Sequence, residues 1–173
     1  MNTFQQRLKY GEEAEDVFEE MLKQQIFPNK GYERLRFETL RDKHGWNVTE
    51  CQKYTRINGD FRVVGENWLD LYFDVKGTEK ISETSLSEAR KDLIFAMNFH
   101  VSREHCFFLR KEDTAAIIRS VSKKIKLPSG DDGYSIFAAQ DCPQHRMYIE
   151  LPRKVLSLKK RIVKANEELS NFF

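Results

Sequence analysis

The chain has 173 residues, 40% of them hydrophobic and 32% charged, with a formal net charge of +2. That length is enough for one real core, and the near-neutral balance excludes a protein whose overall charge announces its partner. Three widely separated cysteines, Cys51, Cys106 and Cys142, contain no C-x-x-C pair, which excludes a disulfide framework and a zinc knuckle.

In chain order, residues 3–26 read as an amphipathic helix capped by Thr3. Placed at about 100° per residue, Phe4, Leu8, Gly11, Ala14, Phe18, Met21 and Leu22 share one face. Residues 12–20 are strongly acidic, and most of those acids fall off that face. Glu15 lies on it. A carboxylate facing a core is costly unless paired or bound to a cation; the alternative is an acid at the stripe's edge that snorkels to solvent. Residues 32–43 are charged and fit either a short helix or an irregular excursion. Residues 46–54 alternate loosely, carry Trp46, Val48, Thr49 and Tyr54, and are assigned to a strand. Asn58-Gly59 marks a turn.

Residues 58–78 read as a hairpin: a strand over 60–64, a three-residue turn over 65–67, and a strand over 68–76. Side chains alternate along a strand. Leu69, Leu71, Phe73 and Val75 therefore form a core face, and Asp70, Tyr72, Asp74 and Lys76 the opposite, polar face. The short turn pairs Val64 with Trp68 and sets Asp60 opposite Tyr72. Asp60 is then the diagonal neighbour of Asp74, roughly 7–8 Å away. A second helix is expected over 83–99, capped by Ser82 or Thr84, burying Leu86, Ala89, Leu93, Ala96 and Met97, with Arg90 inside the stripe and in reach of the polar hairpin face. A buried strand, C-F-F-L, follows at 106–109. A helix from Asp113 to about residue 125, a loop at 128–133 and strands near 134–138 and 147–151 come next. The last helix spans about 152–171, with Val155, Leu158, Ile162, Ala165 and Leu169 buried and Lys160, Arg161 and Lys164 opposite.

The hairpin's polar face carries the chemistry. Two carboxylates brought together raise one another's pKa unless a cation sits between them. A hard divalent ion, Mg2+ or Mn2+, resolves that conflict through oxygen ligands. Asp60, Asp74 and the Val75 backbone carbonyl are the candidate ligands. Lys76, two residues after Asp74 and on the same face, is placed to hold the attacking water and to offset charge developing on phosphorus. Glu15 is a further ligand through water, or a partner for Lys76. D-x-K alone mostly marks a solvated strand edge; the combination with Asp60 and the misplaced Glu15 raises it to a candidate phosphodiesterase site. Arg90, Lys80 and the basic face of the last helix are candidate phosphate contacts.

At these residues the sequence resembles the PD-(D/E)xK nuclease superfamily: Gly59-Asp60 followed by Asp74-Val75-Lys76. Gly11-Glu12-Glu13-Ala14-Glu15 also resembles the G-x-x-x-E of Holliday-junction resolvases and related small nucleases. Glycine stands where the family often has proline, and aspartate where it often has glutamate. No Q-x-x-x-Y follows Lys76, which sets the chain apart from the exonuclease branch. The resemblance implies a restriction-endonuclease-like core in the order α-β-β-β-α-β over about residues 3–110, with 111–173 as a C-terminal extension matching no known pattern. A single α/β domain with a central mixed β-sheet flanked by helices is therefore expected. So is a metal-dependent endonuclease acting on DNA, with a homodimer implied because many relatives cut both strands that way. A catalytically silent nucleic-acid- or protein-binding module, or an RNA-directed nuclease, is the alternative. The N-terminal stretch has no apolar signal core and no apolar run is long enough to span a membrane, so a cytoplasmic location is expected.

Overall fold

The computed structural model describes residues 3–27, 29–65, 69–103, 105–114, 122–136 and 146–150. The expected last helix, with Lys160, Arg161 and Lys164, lies outside them, as does Trp68. None of the described helices is long and apolar enough to cross a membrane.

Helix α1 (Phe4–Lys23) begins at the Thr3 capping box, in which Thr3 Oγ1 accepts from the Gln6 amide and Gln6 Oε1 from the Thr3 amide. It ends in a Schellman motif: Gln25 takes a φ of +55°, its amide donates to Leu22 O, and the Ile26 amide donates to Met21 O. Ala14, Phe18, Met21 and Leu22 are buried, as the stripe requires. Phe4 and Leu8, expected on the same buried face, are instead exposed at 71% and 54%, because the first turns run past the edge of the core.

The main sheet has the order β1-β2-β3-β5-β6-β9, built from β1 (Gly31–Arg34), β2 (Phe61–Val64), β3 (Leu71–Val75), β5 (Ile94–Met97), β6 (His105–Arg110) and β9 (Arg146–Glu150). It is mixed: β3 and β5 run parallel and the other neighbours antiparallel. A second sheet has the order β4-β8-β7, from β4 (Lys80–Ser82), β7 (Ser122–Lys126) and β8 (Asp132–Ile136). The expected α/β architecture with a central mixed sheet is what forms.

One face of the main sheet packs against α1. Phe18 sits at its centre, with ring centroids 4.9 Å from Phe61, 5.1 Å from Phe73 and 5.4 Å from Phe99. The other face packs Phe95, Met97, Phe107 and Leu109 against Ile81, Leu93 and Ile136, towards the small sheet. Helices α2 (Phe37–His44) and α3 (Val48–Asn58) make a satellite cluster through Leu35, Leu40 and Cys51.

Three expected elements differ. Residues 46–54, expected as a strand, fall mostly in α3. Asn47 caps it, accepting from the Glu50 amide while Glu50 Oε2 accepts from the Asn47 amide, both at 2.9 Å. That reciprocal cap outweighs the β-propensity of Trp, Val, Thr and Tyr. The helix expected over 83–99 stops as α4 (Glu83–Glu88), where Ala89 turns extended, and residues 94–97 become β5. I-F-A-M is buried on both faces of a parallel pair, and such a continuous apolar run has no period to separate it from a helical stripe. Of the helix expected from Asp113 to about 125, residues 115–121 lie outside the described residues; Thr114 is helical after a 3-10 turn at Lys111–Asp113, and 122–126 form β7 instead of the helix's last turn. The strands expected at 106–109, 134–138 and 147–151 correspond to β6, β8 and β9, each with shifted ends.

Candidate functional site

The site forms where β2 starts and β3 ends. Helix α3 ends at Gly59, whose φ of +79° and ψ of −158° lie in a region essentially reserved for glycine. A Cβ there would stand 2.4 Å from the Phe73 carbonyl oxygen. Proline, with φ fixed near −65°, cannot replace it. The close approach brings the Asp60 amide to 2.7 Å from Phe73 O.

Phe61 pairs with Phe73 and Arg62 with Tyr72. Continued by one residue, that register sets Asp60 opposite Asp74, not opposite Tyr72 as expected. The difference is a shift of two residues, so each side chain keeps its face. Strand β3 begins at Leu71, not at the expected residue 68. Leu69, assigned to the core face, is consequently 88% exposed, whereas Phe73 and Val75 are buried. Asp70 is occupied elsewhere, accepting from Arg62 Nε at 2.8 Å and Nη2 at 2.5 Å.

Asp60 Oδ2 accepts from the Val75 amide at 2.7 Å, so its carboxylate extends the β2–β3 ladder. Asp74 Oδ1 lies 3.0 Å from Lys76 Nζ. Lys76 is anchored through its backbone on the β5 side, its amide donating to Ala96 O at 2.8 Å and its carbonyl accepting from the Phe99 amide at 3.0 Å. Burial pushes the Asp60 carboxyl well above the ordinary carboxylate range, and the charges of Asp74 and Glu15 push it further, against Lys76 and the Val75 amide. For Lys76 burial opposes protonation, but Asp74, Asp60 and Glu15 overcome it and raise its pKa. The group is therefore a protonated ammonium among carboxylates.

Glu15 reaches this field from α1 with a partner the sequence reading missed. Arg34 in β1 donates to Glu15 Oε2 from Nε at 3.2 Å and from Nη2 at 3.1 Å. Its Nη1 also donates to Asp16 at 2.8 Å and to Glu19 at 2.7 Å. Burial raises the Glu15 carboxyl against the pull of Arg34, and the charge of Asp74 adds to the rise. Glu15 thus binds Arg34 and not Lys76, while remaining close enough to sense Asp74. The one sequence signal for Arg34 is its alternation with Tyr32, whose hydroxyl donates to Glu19 at 3.1 Å.

Arg90 sits in the loop after α4, not in a helix. It still reaches the polar face of β3, with Cζ 3.8 Å from the centroid of the Tyr72 ring, and it pairs with Asp92 at 2.5 Å and Asn58 at 3.2 Å. Lys80, at the start of β4, lines a cleft of about 610 Å³ that opens beside Lys76; Arg7, Tyr10 and Arg103 line it too and were not anticipated.

Among the described residues no group of three or more His, Cys, Asp or Glu side chains is arranged to hold a metal ion. Mg2+ needs only one or two carboxylates, completing its shell with water and substrate phosphate. Two facing carboxylates, one of them half-buried and reluctant to ionise, are a donor set that fits such an ion. No protein-family model matches the chain, and no curated protein or solved structure matches it either.

Proposed function

We propose that this protein is a divalent-metal-dependent phosphodiesterase, an endonuclease acting on DNA, with Asp60, Asp74 and Lys76 as its core. The observation that carries the reading is the convergence of two facing carboxylates and a half-buried ammonium at the edge between β2 and β3. Further support comes from the element order. Helix α1, the antiparallel β1-β2-β3, a crossover containing α4, then β5 parallel to β3, follow the α-β-β-β-α-β plan of a restriction-endonuclease-like core, with α2, α3 and β4 as insertions.

Asp60, Asp74 and the Val75 carbonyl would hold Mg2+ or Mn2+. The ion would supply charge neutralisation at the phosphate and a more acidic bound water. Asp60 is oriented by the Val75 amide. Lys76 keeps its proton on Nζ and offers hydrogen bonds to the attacking water and to a non-bridging phosphate oxygen, where negative charge grows. Glu15, steered by Arg34, adds negative charge that keeps Lys76 protonated. Lys80 and Arg90 are candidate phosphate contacts, together with Lys160, Arg161 and Lys164; a homodimer would let two such sites act on both strands.

The test is incubation with Mg2+ or Mn2+ and a panel of duplex, single-stranded, branched and RNA substrates, with Asp74→Ala and Lys76→Ala as controls. Metal-dependent cleavage lost in both variants is expected; cleavage that survives both sinks the reading. One observation favours a silent binding module instead: Lys76 already pairs with Asp74. Calorimetric titration with Mg2+ separates the two, since a silent module would show no binding sensitive to Asp60→Asn.

A further inference from the structure

We propose that the cleft beside Lys76 binds a single nucleic-acid strand, so that the substrate is single-stranded nucleic acid or a single-stranded end and not a closed duplex. The proposal rests on the phosphodiesterase reading for its chemistry, but not for its binding.

The cleft has two opposed walls. Helix α1 supplies Arg7, Tyr10 and Gly11 on one side, and the tip of the β7–β8 hairpin, with Leu127 and Pro128, stands on the other; the backbone after β3 joins them. The hairpin wall is a built structure. Gly130, at a φ of +92°, lets its amide donate to Leu127 O, and the Leu127 amide donates to Asp131 O, both at 2.9 Å. Behind the tip, a Cβ on Gly133 would lie 2.6 Å from the Ile81 carbonyl oxygen, so β8 is pressed against β4. At about 610 Å³ the cleft is of a size that encloses a small ligand, roughly 300–1,000 Å³. That suits a nucleotide or two.

The chemistry of the lining matches one strand. Arg7, Lys76, Lys80 and Arg103 face the cleft with Asp131 as the acid among the lining residues. Binding of single strands combines such a basic groove with aromatic surfaces on which unpaired bases stack. Tyr10 is that surface. Its ring lies parallel to His100, with centroids 3.5 Å apart and planes 7° apart. His100 is itself fixed by Glu13 and by Ser102, each at 2.7 Å. A Cβ on Gly77 would come within 2.5 Å of the Tyr10 ring, so the ring abuts the backbone that carries Lys76. The platform is therefore preorganised next to the reacting group, and a duplex has no unpaired base to offer it.

The experiment measures binding of the full chain to fluorescent single-stranded DNA, single-stranded RNA and blunt duplex DNA of one sequence, with Ca2+ replacing Mg2+ so that binding is read apart from cleavage. Single strands should bind at least about tenfold more tightly than the duplex. Tyr10→Leu should weaken single-strand binding by roughly 5- to 100-fold, the range of one lost base stack, while Tyr10→Phe retains it. Lys80→Ala should flatten the salt dependence of single-strand binding by about 0.7 in the log–log slope. Circular dichroism and melting of each variant show that the fold survives. Duplex binding equal to or tighter than single-strand binding overturns this proposal and leaves the nuclease reading standing. Tight single-strand binding with no cleavage of any substrate in Mg2+ or Mn2+ does the reverse. The DNA and RNA arms identify the sugar.

Discussion

Two charge clusters lie side by side at one end of the main sheet, and they are built on opposite terms. Around Arg34, one guanidinium faces three carboxylates and uses its planar fork to bond Glu15, Asp16 and Glu19 within 3.2 Å. Hydrogen bonds from Arg34 and Tyr32 overcome burial and hold Glu19 below its ordinary pKa. Around Lys76, a single ammonium bonds Asp74, while Asp60, among the described residues, is bonded by a backbone amide and is pushed well above the ordinary range. The first cluster is satisfied within the protein. The second retains an electrostatic deficit that a cation would relieve. Glu15 belongs to both, bonded to Arg34 and sensing Asp74. A cluster satisfied by its own partners acts as scaffold, and one left with carboxylates in excess beside a cleft is a candidate ligand site.

Breaking the scaffold should have the largest effect. Arg34→Met removes the shared partner of three carboxylates; Glu19 keeps Tyr32 and Lys23 and Asp16 keeps Arg36, while Glu15, at 22% side-chain exposure, loses its guanidinium. Removing one partner from a buried ionic cluster costs about 3–5 kcal/mol. Urea unfolding at neutral pH should show that loss, and Arg34→Lys, which keeps the charge but not the fork, should fall between. A loss below about 1 kcal/mol would mean the cluster is solvated. The Lys76 cluster should behave in the opposite way. Lys76→Ala and Asp74→Ala should each reduce metal-dependent cleavage by about 10²–10³-fold or more, with a loss of stability smaller than that of Arg34→Met. Unfolding in step with the activity loss would class both residues with Arg34.

Gly59→Ala sharpens the same contrast from the backbone. It adds a Cβ at 2.4 Å from Phe73 O in a conformation essentially closed to alanine. About 1–3 kcal/mol of strain is expected, and any relief must move Asp60 away from Asp74. Activity should therefore fall further than stability, and the Arg34 network should be unaffected. An alanine variant with full activity would show that the facing of Asp60 and Asp74 does not matter.

Much of this site was legible in the sequence, for identifiable reasons. Asp60, Asp74 and Lys76 could be placed on one face because period-2 alternation assigns faces, and a register shift by two preserves them. The shift itself is hidden because nothing local fixes whether the second strand starts at 68 or, as it does, at Leu71. Glu15 was found because 3.6-residue periodicity exposes a charge on an apolar face. Arg34 was missed because its partners lie 15 to 19 residues away, a pairing made by tertiary structure alone. Strand β5 was missed for the converse reason: a strand buried on both faces loses the alternation that identifies strands. The strand expected over 46–54 is helix α3 because the Asn47–Glu50 capping box, which lies in the sequence, outweighs the β-propensity of its residues. The basic walls of the cleft come from α1, β4 and the loop after β5, and no window of sequence contains them together.

The smallest expected effect, and the most diagnostic, is on pH dependence. In metal-free protein the Asp60 carboxyl has a folded pKa above its unfolded value, raised by burial, then by Asp74 and Glu15, and opposed by Lys76 and the Val75 amide. Below the ordinary carboxylate value of about 4 both states hold the proton and its contribution is complete. As pH rises towards the raised folded value, the unfolded chain releases its proton first, so stability falls across that window and then levels. Glu19 in the neighbouring cluster has the opposite sign: its folded pKa is depressed, so its contribution is present above the ordinary value and is lost as pH falls through the folded one. Lys76 does not interfere, since its raised pKa keeps its contribution intact up to the alkaline range. Chemical unfolding from pH about 4 upward in EDTA should therefore show a decline that Asp60→Asn reduces, leaving the part due to Glu15, whose shift has the same sign. Mg2+ should reduce the same decline in the parent and do nothing for Asp60→Asn. If the variant and the parent lose stability in parallel, with and without the ion, Asp60 is an ordinary strand carboxylate and the contrast between the two clusters disappears.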